Sequence, residues 1–221
     1  MEVEGSYFSG ILLWICSAVS ISGVVLALKI APWKLIADKE HLNVFLGACV
    51  FLLVMWMIRA PVHEGIEFHL LILTTLTLMF GWSLAVLGGT LVLLGLSIAG
   101  VTSWTGLLVN IISVVLIPVT FSQIALVLIR HWFPKHFFIY IYLNAFLSGG
   151  MAVLISSFLS TLLLSLTGLA TFSMLWDTYL TYFPLMFFPE AVLNGWFMTL
   201  LVSYKPHWVI SFRDEDYLHG K

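Results

Sequence analysis

Charge is what this sequence has least of. Asp, Glu, Lys and Arg make up 9% of its 221 residues, against roughly a quarter in a soluble globular domain. The scarcity is organised: none of these four residue types occurs within 5–28, 41–58, 68–129, 136–176 or 191–204. A helix crossing the hydrocarbon core needs about 20 predominantly apolar residues, so most of these stretches admit one crossing and 68–129 admits several. A transmembrane β-barrel is excluded, because it would show short segments of alternating polarity instead. Basic residues are too few for a nucleic-acid partner: the formal net charge is −2, and such a partner demands a basic face. Cysteine is scarce too. Cys16 and Cys49 each lie inside an apolar run, where they read as packing residues rather than a disulfide or a metal pair. Nucleophile–base pairs, phosphate-cradling glycine loops and zinc-protease motifs are missing as well. The expectation is a protein that is not an enzyme and holds no tight cofactor. Any ATP-driven step needs a separate ATPase.

What is there in abundance is hydrophobic sequence, 61% of the chain, with a mean hydropathy of +1.08. The fold class expected is an all-α polytopic membrane bundle, a single domain over 1–221. Segments fall at 7–28, 42–58, 69–80, 82–99, 106–129, 136–166 and 178–204, the breaks within 68–129 being Gly81-Trp82 and Gly100-Val101-Thr102-Ser103. The segment 69–80 is too short to span alone. It is expected to be a half-helix buried among its neighbours, the setting in which incomplete spans are tolerated. Lys29, Lys34 and Lys39 follow the first segment, Arg130 and Lys135 the fifth, and Lys205 the last. By the positive-inside rule these loops face the cytoplasm. About seven crossings of a cell inner membrane follow, with the N-terminus outside and the C-terminus inside. Glu2 and Glu4 stand where a secretory signal would carry Lys or Arg, so the first helix is expected to be retained, and Met1 with it. Ser148, Ala152, Ser156 and Ser160 recur every four residues as a small-residue seam, for packing within the bundle or for docking another subunit.

The few polar residues are correspondingly informative. Met1, Glu2, Glu4, His63, Glu64, Glu67 and His69 all fall on the expected outer side. Imidazole suits cobalt, nickel, copper and zinc, and carboxylates add hard oxygen donors. The stretch Pro61 to His69 is the densest set of such side chains, although exposed loops are polar in any case and its spacing is not a standard zinc pattern. His69 opens an otherwise apolar helix, facing either headgroups or a pocket. Glu190 sits at membrane depth with Asn194 one turn later on the same face. It is either a functional carboxylate or a structural, hydrogen-bonded one. Asn110 is a further buried polar candidate near the same end.

Three stretches resemble one family. The run Tyr182 to Pro206, with Pro189-Glu190 ahead of a long apolar helix that ends in Lys205-Pro206, looks like the final helix of the CbiM/NikM-like membrane component of energy-coupling-factor (ECF) ABC transporters. His69-Leu70-Leu71 with the break at Gly81-Trp82 is similar to that family's metal-binding His helix. Gly100 to Ser103 followed by Asn110 resembles a third family stretch. The resemblance implies a substrate-binding permease subunit of a cobalt or nickel importer, working with a separate transmembrane coupling subunit and cytoplasmic ATPase subunits. It carries over Met1 and His69 as metal ligands. The family's second-position His is lost here, the chain beginning Met1-Glu2-Val3-Glu4-Gly5, one residue shorter than the family start, so His63 or a carboxylate is expected to complete a harder N/O site, or the substrate itself has changed. A second reading is a non-transporting accessory or scaffold subunit that assembles with, or supplies metal to, another membrane complex. A third, haem ligation by His63, His69, His131 and His136, is disfavoured because the topology sets these pairs on opposite sides.

Overall fold

A computed structural model describes residues 2–3, 5–8, 10–63, 66–168, 173, 176, 182–213 and 217. Among the described residues six helices are long and apolar enough to cross a membrane: α1 Gly10–Ile30, α3 Lys39–Met57, α4 Leu73–Ile98, α5 Trp104–Trp132, α6 Phe137–Leu166 and α7 Phe183–Tyr204. A short helix, α2 Trp33–Ala37, joins α1 to α3. The protein is a multi-pass all-α membrane bundle. Helices α1 and α3 turn side chains such as Ile11, Trp14, Val50 and Val54 outward, as helices bathed in lipid do. The α1 hydroxyls are satisfied by carbonyls, Ser17 donating within the helix to Leu13 at 2.7 Å and Ser20 across to Leu108 of α5, because the bilayer interior supplies no water for the purpose.

Helix α4 is two helices. Gly81 adopts φ 79° and ψ 173°, a region that costs a side-chain-bearing residue dearly and glycine little, and the chain doubles back there. A Cβ on Gly89 would lie 3.4 Å from Leu73, and one on Gly88 3.0 Å from Leu76. In a straight helix Leu73 and Gly89 would stand about 24 Å apart. The glycine pair lets a half-helix, Leu73 to Phe80, lie directly against the full span that follows. All eight residues of the half-helix are buried. Counted by direction, the described residues therefore form six long helical segments and a short internal one that comes third in order.

Both ends of the half-helix must find partners for backbone groups that a helix leaves unpaired. At its start, Glu190 of α7 accepts from the Leu71 N–H at 2.9 Å and the Ile72 N–H at 2.5 Å. Asn194, one turn on, accepts from the Thr75 N–H at 2.8 Å. At its finish, the chain beyond α7 supplies donors: the N–H of Ile210 reaches the Met79 carbonyl at 3.0 Å, and that of Ser211 the Leu78 carbonyl at 3.3 Å. That tail is buried at Val209, Ser211 and Phe212. Tyr140 holds it through a 2.6 Å bond to the Ser211 hydroxyl, and Arg130 donates to the Ser211 carbonyl.

The small-residue seam of α6 packs inside the bundle. Ser148, Ala152, Ser156 and Ser160 are all buried, and the Ser156 hydroxyl donates to the Ser113 carbonyl of α5 at 2.5 Å. Helix α5 widens to a π-helical stretch at Ile111–Leu116, just ahead of Pro118, whose ring and missing N–H are incompatible with a regular ladder. Cys16 and Cys49 are free and buried.

One feature outside the helices was not foreseen. Three short strands, β1 Glu2–Val3, β2 Ala60–His63 and β3 Ile66–Phe68, form an antiparallel sheet in the order β1-β3-β2. The register sets Glu2 opposite Glu67 and Val3 opposite Ile66. The sheet closes the end of the bundle at which α1 begins, and it pins the chain's start against the loop between α3 and the half-helix.

Candidate metal site at the sheet end

The sheet and the half-helix bring Glu2 and His69 together from positions that the sequence separates widely. Both are buried, at 5% and 2% exposure. His69 is placed by its neighbours: its ring lies 5.0 Å from that of Trp56, and the Trp56 indole N–H donates to the Leu71 carbonyl at 3.1 Å. Immediately beyond, Ile72 takes a left-handed φ of 52°. This is an uncommon conformation for a β-branched residue, and the bond to Glu190 at its own N–H holds it there. Glu190 and Asn194 therefore act on the site from behind, fixing the turn that aims His69. Asn194 is itself locked to Glu190 through Nδ2, at 2.8 Å to the carbonyl and 3.0 Å to the carboxylate.

The imidazole's protonation follows from its contacts. Nδ1 lies 3.3 Å from the Leu70 carbonyl, which can only accept, so Nδ1 carries the hydrogen and Nε2 a lone pair. Burial, and then neighbouring positive charge that includes Arg59, hold His69 well below its ordinary value of 6.5, which keeps the ring neutral. Nε2 is fully buried and has no hydrogen-bond partner among the described residues; it faces Glu2 Oε1 at 3.6 Å. In that tautomer two acceptors oppose each other. Ligands of one tetrahedral ion at about 2.0–2.2 Å would stand a little over 3 Å apart. A backbone carbonyl holding the far nitrogen is also the usual way a metal-binding histidine is oriented.

Glu2 has other partners. Arg59 grips both its oxygens, Nη1 to Oε2 at 2.8 Å and Nη2 to Oε1 at 2.9 Å. The Thr102 hydroxyl donates to Oε2 at 2.7 Å. Arg59 and Thr102 were not singled out from the sequence. One signal existed: Arg59 is a lone cation at the end expected to be outside, where the positive-inside rule disfavours it and a carboxylate partner is called for.

The other residues of interest are less completely placed. Asn110 is buried in the segment Leu107–Asn110, which packs beside β1. His63 and Glu67 lie in strands β2 and β3 of the same sheet, though only their backbones are described. Met1, Glu4 and Glu64 lie outside the described residues, as does Asp177 of the loop before α7. Among the described residues no cluster of three or more His, Cys, Asp or Glu side chains is disposed to hold a metal, so His69 and Glu2 are the described pair.

Comparison with known proteins reaches the fold and then the family. A solved structure described as a truncated transition metal transporter superposes with a TM-score of 0.78 at 16% identity, covering 92% of this chain and 99% of its own. A second transition metal transporter structure gives 0.77, also at 16% identity, over 92% and 93%. No curated protein matches significantly in sequence. The family model for the CbiM cobalt uptake substrate-specific transmembrane region matches residues 3–208. Nearly the whole chain, including the half-helix and strands β2 and β3, falls within that match, and the chain belongs to the CbiM cobalt uptake transmembrane family.

Proposed function

We propose that this chain is the substrate-binding membrane subunit of an energy-coupling-factor-type importer, and that it binds a divalent transition-metal ion at the sheet end of the bundle. The observation that carries the reading is His69 Nε2, a buried lone pair with no hydrogen-bond partner among the described residues, facing a carboxylate oxygen at 3.6 Å. A buried polar atom left unsatisfied is costly, and a cation between the two acceptors removes that cost. Met1, Glu4 and His63 are proposed to complete the donor set, with Glu64, Glu67 and Asn110 around it. Nitrogen and carboxylate ligands together accept cobalt, nickel, copper or zinc, with affinity rising toward copper. Hydrolysis of ATP and coupling are assigned to separate subunits, since the chain has no phosphate-binding loop.

The test is metal analysis of the purified protein followed by titration with cobalt(II). His69→Ala is expected to lose affinity on the order of a hundredfold or more, and His131→Ala to bind like the wild type. Equal losses in both, or full binding by His69→Ala, would place the site elsewhere. The sheet end is proposed to face outward. Reporter fusions after Lys39, Arg59, Lys135 and Lys221 are expected to read inside, outside, inside and inside; a cytoplasmic reading after Arg59 breaks that orientation. The reading as a non-transporting accessory subunit is favoured by one observation, the prior occupation of Glu2 by Arg59 and Thr102. Wild-type protein devoid of stoichiometric metal would move the conclusion to it.

A further inference from the structure

A metal site in which one ligand is already engaged by a cation needs an account of that cation. Glu2 Oε1, the oxygen that faces His69 Nε2, is the oxygen to which Arg59 Nη2 donates. The guanidinium is not a loose surface group. Its Nε donates to the Trp56 carbonyl at 2.8 Å and its Nη2 to the Thr102 hydroxyl at 3.0 Å, and its side chain is 10% exposed. Trp56 is also the residue whose ring packs on His69. One small network therefore contains the arginine, the carboxylate and the imidazole, with Thr102 bridging the first two.

The charges decide what this network does. Arginine is charged at any accessible pH and binds a carboxylate in a two-pronged geometry that lysine does not reproduce. With Arg59 in place, Glu2 already has a counter-charge without an ion. A divalent ion bridging Glu2 and His69 would bring two further positive charges within a few ångströms of the guanidinium. Where water is scarce, that repulsion is strong. The ion and the arginine compete for the same oxygen.

Resting on the proposed reading of this site as a metal site, we infer that Arg59 is a built-in competitor cation. It holds the empty site together, must leave Glu2 for a divalent ion to be bound, and lowers the site's affinity by returning. The device suits a subunit that has to release what it captures: the ion is displaced by a tethered charge and no buried carboxylate is left bare. It also makes Arg59 a determinant of selectivity, because only an ion that gains more from Glu2 and His69 than the guanidinium gains from Glu2 displaces it.

The experiment is titration of purified wild type, Arg59→Gln and the double variant Glu2→Gln/Arg59→Gln with cobalt(II) alone, followed calorimetrically, with melting temperatures recorded with and without the ion. Arg59→Gln is expected to bind cobalt roughly tenfold or more tightly than wild type. Its metal-free form should melt below wild type, since a buried carboxylate loses its counter-charge, and cobalt should restore it by a larger shift. The double variant should recover metal-free stability and lose the gain in affinity. Affinity in Arg59→Gln equal to or below that of wild type overturns the inference and leaves metal binding intact. Stoichiometric binding by neither protein overturns the functional reading beneath it. Should Arg59→Gln fail to fold, Thr102→Val reports the same competition, because it strips the hydroxyl that braces both Arg59 and Glu2. A smaller rise in affinity is expected there, and no rise overturns the inference.

Discussion

At each end of the bundle an imidazole meets a carboxylate, and the two meetings differ in kind. At the end rich in lysine, His41 bonds Asp38 at 2.8 Å and His207 bonds Glu40 at 3.1 Å, with the Asp38, Glu40 and His207 side chains more than half exposed. Free side chains in reach of water settle into ordinary hydrogen bonds, and such pairs are screened and worth little. At the sheet end the His69 and Glu2 side chains are 0% and 5% exposed and stop 3.6 Å apart, lone pair to lone pair. There the scaffold does not let them relax. The sheet fixes Glu2, and the Ile72 turn under Glu190 fixes His69. The same two residue types make a modest latch where they are free and, on the proposed reading, a cation site where they are held.

That contrast is broken most severely through Glu190. Glu190→Ala strips the acceptor from two buried N–H groups and frees the strained Ile72 turn, and each unsatisfied group costs about 1–3 kcal/mol. A loss of roughly 2–5 kcal/mol follows, read as a large drop in melting temperature in detergent, with cobalt affinity falling alongside. A variant that melts like wild type would show that His69 is held by something else.

The opposite end of the half-helix gives a smaller effect. Ile210→Pro removes the N–H that reaches the Met79 carbonyl. Val209, at φ −112° and ψ 95°, is already extended, as the residue before a proline must be. The expected cost is about 1–3 kcal/mol, with metal affinity at the far end little changed. Affinity that falls as far as in Glu190→Ala would mean the half-helix moves as one rod and the two ends are not independent. Smallest of all, His207→Ala should leave the melting temperature within experimental error. A clear drop would raise the latch at the lysine-rich end to a structural element.

Much of the frame was legible in advance because hydrophobic patterning in a membrane is decided locally. The expected segments 136–166 and 106–129 correspond to α6 and α5 within a few residues. The short third segment ends at Phe80 because Gly81 permits a backbone that other residues resist. The spacing of Glu190 and Asn194 put both on one face, and both proved to serve the same helix start. The site was legible only in part. His69 stood out as the polar residue opening an apolar helix, but its pairing with Glu2 depends on a sheet of nine residues in three short strands, too brief to leave a pattern. The capping tail was invisible for a similar reason: Ile210 and Ser211 act through backbone N–H groups, which every residue but proline possesses.

By itself, then, the sequence determined that the chain is a multi-pass membrane bundle and where its third segment breaks. Apolar run length, glycine and the placing of lysines and arginines are properties of contiguous residues. Only the tertiary structure decided what each polar residue means. Arg59 and Glu2 lie far apart in sequence and became a bidentate pair, and the tail beyond the last crossing became the cap of the third. The physical reason is that a buried polar group must be satisfied by whatever the fold brings within about 3 Å, and that partner is chosen by the packing of helices, not by neighbours along the chain.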